Sequence, residues 1–244
     1  MARLIFITVS ILVTLLSCTK DDHLVMTTTI PNTPPTPTVP DTSSARSFLA
    51  LGDSYTIGQS VNEADRFPVQ AARSLTAAGI KFGAPEIIAR TGWTTADLLN
   101  AIAVSPPTQP SYDIVTLLIG VNNQHQQKTQ EEYAAQFLTL LNMAVHYAGD
   151  NRNRVVVLSI PDYSVTPYAQ GSDKALIAKE IDSFNLINKS IALKNGVNYL
   201  DITASSRLAA NDASLIASDG LHPSRIEYKV WADALVPVIK LALQ

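Results

Sequence analysis

The sequence predicts an α/β fold, a three-layer αβα sandwich with a five-stranded parallel sheet, and three observations carry that reading. Five short apolar runs alternate with longer segments whose apolar residues recur every three or four positions. The middle runs lack polar alternation, as expected of strands covered by helices on both faces. The chain has 244 residues, 46% of them hydrophobic and 16% charged, enough apolar material to bury a sizeable core.

In order, SFLAL (47–51) reads as the first strand and ADRFPVQAARSLTAAG (64–79) as the helix after it. EIIAR (86–90) is the second strand, TTADLLNAIAV (94–104) the second helix and DIVTLLI (113–119) the third strand. TQEEYAAQFLTLLNMAVHYAG (129–149) follows as a helix that stops at Gly149. RVVVLSI (154–160) is the fourth strand, SDKALIAKEIDSFNLINKSIALKNG (172–196) a helix ending at Gly196, and VNYLDI (197–202) the fifth strand. RIEYKVWADALVPVIKLAL closes the chain as a helix. Strand and helix alternation of this kind implies a flavodoxin-like arrangement, with ligand chemistry at the carboxyl ends of the strands. No internal repeat is evident.

The segments before the first strand read differently. Arg3 precedes an apolar stretch from Leu4 to Leu16 that is too short to span a bilayer comfortably, so residues 1–17 read as a signal peptide. Leu15-Leu16-Ser17-Cys18 resembles the bacterial lipobox, which makes Cys18 the expected site of lipidation. Cys18 is also the only cysteine, so no intramolecular disulfide is possible. TKDD (19–22) resembles the export signal of surface lipoproteins, and a solvated charge cluster is the alternative. TTTIPNTPPTPTVPDTSS (27–44), rich in Pro and Thr, reads as an extended tether within residues 18–44. The globular domain is then 45–244, and the expected location is the bacterial cell envelope, anchored to the outer membrane through Cys18. Without residues 1–17 the chain carries 17 basic and 21 acidic side chains, a net charge of −4 that gives no reason to expect nucleic-acid binding.

The strand-end rule places Ser54, in LGDSYTIGQS (51–60), just past the first strand, Gly92 just past the second and Asn122 just past the third. Asp219 and His222, three apart in SDGLHPS (218–224), can both turn inward from one loop. Taken together, GDSY, RTGWTT, IGVNN and DGLHPS resemble, in order, the four motif blocks of the SGNH/GDSL hydrolase family over residues 46–244. The resemblance implies Ser54 as nucleophile, His222 as general base and Asp219 as the residue that orients it. Ser54, Gly92 and Asn122 become the donors of an oxyanion hole. Tyr55 stands where the family often has Leu, and Asn123 where the third block often has Asp.

The residue chemistry is consistent with that assignment on its own terms. A serine hydroxyl needs a base to remove its proton as it attacks, and neutral imidazole suits the task near pH 7. An aspartate on the other ring nitrogen holds the tautomer and stabilises imidazolium. Ser54 and His222 are expected at an exposed site, with Asn122 and Asn123 on an extended loop. Trp93, Asn123, His125, Tyr163 and Tyr168 are candidate pocket residues, with packing the alternative for the three aromatics and solvent exposure for His125, and Asp53 reads as a turn residue bonded to backbone.

One cysteine and four scattered histidines make no metal set, and no Gly-x-Gly-x-x-Gly or phosphate loop follows the first strand, so neither metal nor cofactor is expected. Nor is Ser54 in the Gly-x-Ser-x-Gly elbow. The expected activity is a serine esterase acting through an acyl-Ser54 intermediate on short or medium acyl esters or O-acetyl carbohydrate. A lysophospholipase or thioesterase remains open within the family. The rival from another class is a non-catalytic glycan-binding surface lipoprotein. Oligomeric state and the natural ester are not legible.

Overall fold

A computed structural model of the chain describes residues 45–244; the expected signal peptide, Cys18 and the expected tether lie outside the described residues. The sheet has five parallel strands in the order β2-β1-β3-β4-β5: β1 (Phe48–Gly52), β2 (Glu86–Ala89), β3 (Ile114–Leu118), β4 (Val155–Leu158) and β5 (Asn198–Leu200). Every residue of β1, β3 and β4 is buried, whereas the edge strands β2 and β5 are half-buried. That division is why FLALG, IVTLL and VVVL are nearly uniform in apolar character. Strands covered on two faces have no polar side to show.

The chain crosses from β1 to β2 through α2 (Phe67–Ala77), then returns past β1 to β3 through α3 (Thr95–Val104). From there it moves steadily outward, through α5 (Gln130–Tyr147) to β4 and through α6 (Lys174–Lys194) to β5. Travel in opposite directions with crossovers of one hand puts helices on opposite faces. Thus α2 packs on the last helix, α8 (Arg225–Ala242), while α3, α5 and α6 pack as neighbours in the other layer. The α2/α8 layer is aromatic at its centre: Phe67 stacks on Tyr228 at 6.4 Å, and Trp231 contacts both. Each of these rings is fully buried, a burial worth about 2–3 kcal/mol per ring. The two helices read as stopping at glycine do so, with Gly149 and Gly196 just past α5 and α6 in the left-handed conformation.

Strand order reverses between β1 and β3, which opens a crevice at their carboxyl ends. Three helices of four or five residues lie outside the sequence reading: α1 (Ser54–Ile57), α4 (Val121–His125) and α7 (Thr203–Ser206). The first two begin directly at the ends of β1 and β3, so they stand at the mouth of the crevice. Among the described residues no helix is long and apolar enough to cross a membrane.

Candidate active site

Strand β1 ends at Gly52 and the chain turns at once into α1. Asp53 caps that helix, its Oδ1 accepting the Tyr55 amide at 3.0 Å, and Ser54 is its first residue. The expectation that Asp53 bonds backbone in a turn therefore holds. Its side chain is also almost completely buried, and burial pushes the carboxyl up to about 7 against backbone amides that lower it. The folded chain holds this proton to higher pH than the unfolded chain does. Asp53 therefore contributes less to stability as pH rises from about 4 to about 7.

The acid–base loop precedes α8. Asp219 Oδ2 accepts His222 Nδ1 at 2.7 Å, while Oδ1 accepts the Leu221 and His222 amides at 2.9 and 3.0 Å. Partial burial alone would raise the Asp219 carboxyl. These bonds and one from the Ser60 hydroxyl outweigh it and hold the group well below the usual carboxylate range. Nδ1 is therefore the protonated nitrogen, which leaves Nε2 as the basic one. The His222 ring lies against Tyr55 in a tilted contact, centroids 5.3 Å apart and planes at 57°, so the residue after the serine packs against the imidazole.

Ser54, Gly92, Asn122 and His222 line one cleft of about 190 Å³. Ser54 is 4% and His222 6% exposed, so the expected exposed site is in fact recessed under the loops that follow the strands. Among the described residues no hydrogen bond ties the Ser54 hydroxyl to the fold, and the resting serine and histidine share the cleft without one. Such contacts commonly tighten only when substrate is bound. Gly92 has a φ of +84°, and a Cβ there would meet nothing within 4 Å. Its glycine identity thus follows from backbone conformation, beside open space where a reacting carbonyl can approach.

Asn122 and Asn123 do not lie on an extended loop but in α4, where successive side chains diverge by about 100°. Asn122 lines the cleft, and its Nδ2 donates to the Trp93 carbonyl at 2.9 Å, leaving the second amide hydrogen available. Asn123 is fully buried and is not a pocket residue. Its Oδ1 accepts the Thr95 amide and its Nδ2 donates to Thr95 Oγ1, at 3.0 and 2.7 Å. It ties α4 to the start of α3, just beyond the loop that carries Gly92. A neutral amide does this well because it both donates and accepts, which an ionised Asp could not. The Trp93 side chain is likewise outside the cleft, packed half-buried against the core, and contributes only its carbonyl to the site.

Three further expected residues do meet there. His125, one turn after Asn122, has Nδ1 3.4 Å from the Tyr163 hydroxyl and Nε2 3.4 Å from that of Tyr168. Tyr163 is fixed by donation to Gln124 Oε1 at 2.9 Å, and Gln124 in turn donates to Glu180. The loop beneath these tyrosines is pinned through buried Asp162, which accepts Arg207 Nε at 2.8 Å, while Arg207 also reaches Asp182. Tyr168 is half exposed and lines the cleft, and its amide donates to the Gly220 carbonyl of the acid–base loop.

Comparison with known proteins follows this geometry. The family model for the GDSL-like Lipase/Acylhydrolase family matches residues 50–230. Among solved structures, a lipase/acylhydrolase from Enterococcus faecalis is similar with a TM-score of 0.59 at 20% identity, covering 82% of this chain and 97% of that one. Axe2, an acetylxylan esterase from Geobacillus stearothermophilus, gives 0.60 at 19% identity, covering 81% and 95%. LAE5, an α/β hydrolase from the metagenome of Lake Arreo, gives 0.61 at 17%, covering 83% and 98%. No curated protein matches by sequence. Because the family model spans most of the chain, and with it the serine, glycine and asparagine loops and the acid–base loop, the protein belongs to the GDSL-like lipase/acylhydrolase family and is a serine ester hydrolase.

Proposed function

We propose that the protein hydrolyses short-chain carboxylic esters, O-acetyl groups on carbohydrate in particular, from an anchor in the outer membrane of a bacterial cell envelope. The observation that carries the chemistry is His222, bonded to Asp219 at 2.7 Å and lining one cleft with Ser54. His222 Nε2 takes the Ser54 proton as Oγ attacks the ester carbonyl, and Asp219 stabilises the imidazolium that forms. The carbonyl oxygen becomes an oxyanion facing the Ser54 amide, the Gly92 amide and the free hydrogen of Asn122 Nδ2. His222 then returns the proton to the departing alcohol, and water attacks the acyl-Ser54 ester by the same route to release the acid. The membrane part of the proposal is supported by the lipobox-like Leu15–Cys18 and the Pro/Thr-rich segment after it.

Acyl length and alcohol class are supported by the cleft walls. At about 190 Å³ the cleft is smaller than the roughly 300–1,000 Å³ of typical small-molecule sites, too small to enclose a long acyl chain. Among the described residues Val121 and Leu221 are its only aliphatic side chains. The half-exposed Tyr168 ring, its hydroxyl next to His125, instead offers an aromatic surface with a polar tip, which suits a sugar ring on the alcohol side. We expect kcat/KM for an acetylated glycoside to exceed that for a palmitate ester at least about 100-fold. Tyr168→Ala should raise KM for the acetylated glycoside several-fold and leave ethyl acetate unaffected. Preference for palmitate would contradict this reading of the substrate.

The oxyanion role of Asn122 has its own test. Asn122→Ala is expected to lower kcat about 100-fold with little change in KM, because the hydrogen bond donated by its Nδ2 strengthens only as charge develops on oxygen. Asn123→Ala should act instead on stability, by about 1–3 kcal/mol, since it leaves the buried Thr95 amide unpaired. Steady-state kinetics beside thermal unfolding separates the two, and an Asn122→Ala effect confined to KM would remove it from the oxyanion hole.

A further inference from the structure

Ser60 lies in the turn after α1, exposed, with a φ of +66°. Serine rarely adopts this left-handed conformation, and glycine would do so without strain. No burial of the side chain explains the choice. The hydroxyl, however, donates to Asp219 Oδ2 at 2.6 Å, the same oxygen that accepts His222 Nδ1, across 159 residues of sequence. Strain kept at an exposed position beside a reaction centre is the kind of outlier that points to a functional demand.

The four donors to Asp219 are not equivalent. Three of them, the Leu221 amide, the His222 amide and His222 Nδ1, belong to the acid–base loop itself. They would persist wherever that loop sat. Among the described residues only Ser60 comes from another part of the chain, and that part carries the nucleophile: the Gln59 amide donates back to the Ser54 carbonyl at 3.0 Å. The adjoining Gln59 side chain accepts the Thr91 hydroxyl at 2.6 Å, which binds the same turn to the loop of Gly92.

We propose that Ser60 is a positioning residue, which sets the register of the Asp219–His222 loop against the Ser54 turn by bonding Asp219 Oδ2 and so brings His222 Nε2 to bear on the serine. The inference rests on the esterase reading of Ser54, His222 and Asp219. Its effect falls on the proton-transfer step and not on substrate binding, since Ser60 is outside the cleft lining.

The test uses the full chain, with kcat, KM and thermal midpoint measured on 4-nitrophenyl acetate. Ser60→Gly should lower kcat about tenfold with KM unchanged, yet raise the thermal midpoint because the strain is relieved. Ser60→Ala should show the same kcat loss without the gain in stability. In an Asp219→Ala background, Ser60→Gly should cost no further activity. Wild-type kcat in Ser60→Gly, or an equal tenfold loss in both backgrounds, would overturn the proposal. Ser54→Ala, measured alongside, distinguishes the two levels. If it is inactive while Ser60→Gly is unimpaired, only the positioning role falls, whereas full turnover in Ser54→Ala would overturn the site reading and this inference with it.

Discussion

Ser54→Ala is expected to lower kcat by about 10,000-fold or more while leaving the thermal midpoint almost unchanged. The two halves of that expectation come from one fact. The hydroxyl faces the cleft and, among the described residues, has no partner in the fold, so its removal leaves no buried polar group unpaired and creates only a very small void. Chemistry has no such redundancy. Without Oγ there is no acyl-enzyme, and His222 and the oxyanion donors can at best assist water. Steady-state hydrolysis of a short ester, paired with a thermal scan, measures both, and near-normal turnover in a folded variant would remove Ser54 from the mechanism.

The largest effect on stability is expected from Gly52→Ala. Gly52 is the last residue of β1, and a methyl group there would run into the Leu118 carbonyl of neighbouring β3 and into the Thr56 side chain of α1. The carbonyl belongs to a buried central strand and cannot withdraw. Overpacking against backbone should cost about 3 kcal/mol or more, a fall in thermal midpoint of about 6–12 °C for a domain of this size. Activity should fall too, because the displaced turn carries Ser54. A midpoint within a degree of wild type would show that the strand end yields more easily than the geometry allows. The glycine of the GDS motif thus permits α1 to fold back over the strand ends, a different reason from that for Gly92, whose positive φ faces open space.

Sequence and structure agree where the physics is local or strongly patterned. β1, β3 and β4 were legible because burial on both faces removes polar residues from them, and α5 and α6 because their lengths display a helical period. The strand-end rule places Ser54, Gly92 and Asn122 at one crevice, and the spacing of Asp219 and His222 in the loop before the last helix brings His222 to it. Helices α1 and α4 were not legible, since four or five residues show no period. The extended loop expected around Asn122 is therefore helical. Asn122 and Asn123 are chemically identical neighbours, and only the turn between them decides that one faces the cleft and the other is buried against Thr95. Trp93 takes the packing alternative, its ring going to the core while its carbonyl serves the site. Ser60 carried no signal at all, because its significance depends on a partner 159 residues away and on a backbone angle that composition does not reveal.

The central claim is that the hydroxyl of Ser54, activated by His222 and Asp219, is the group that becomes acylated. It is tested most directly by treating the full chain with a fluorophosphonate, which forms a stable ester with an activated serine, and mapping the adduct by peptide mass spectrometry. One adduct per chain is expected, on the peptide containing Ser54, with loss of ester hydrolysis in proportion to labelling. Labelling should slow severely in His222→Ala and less so in Asp219→Ala. Stoichiometric modification of a different residue, or undiminished hydrolysis once Ser54 is fully labelled, would contradict it.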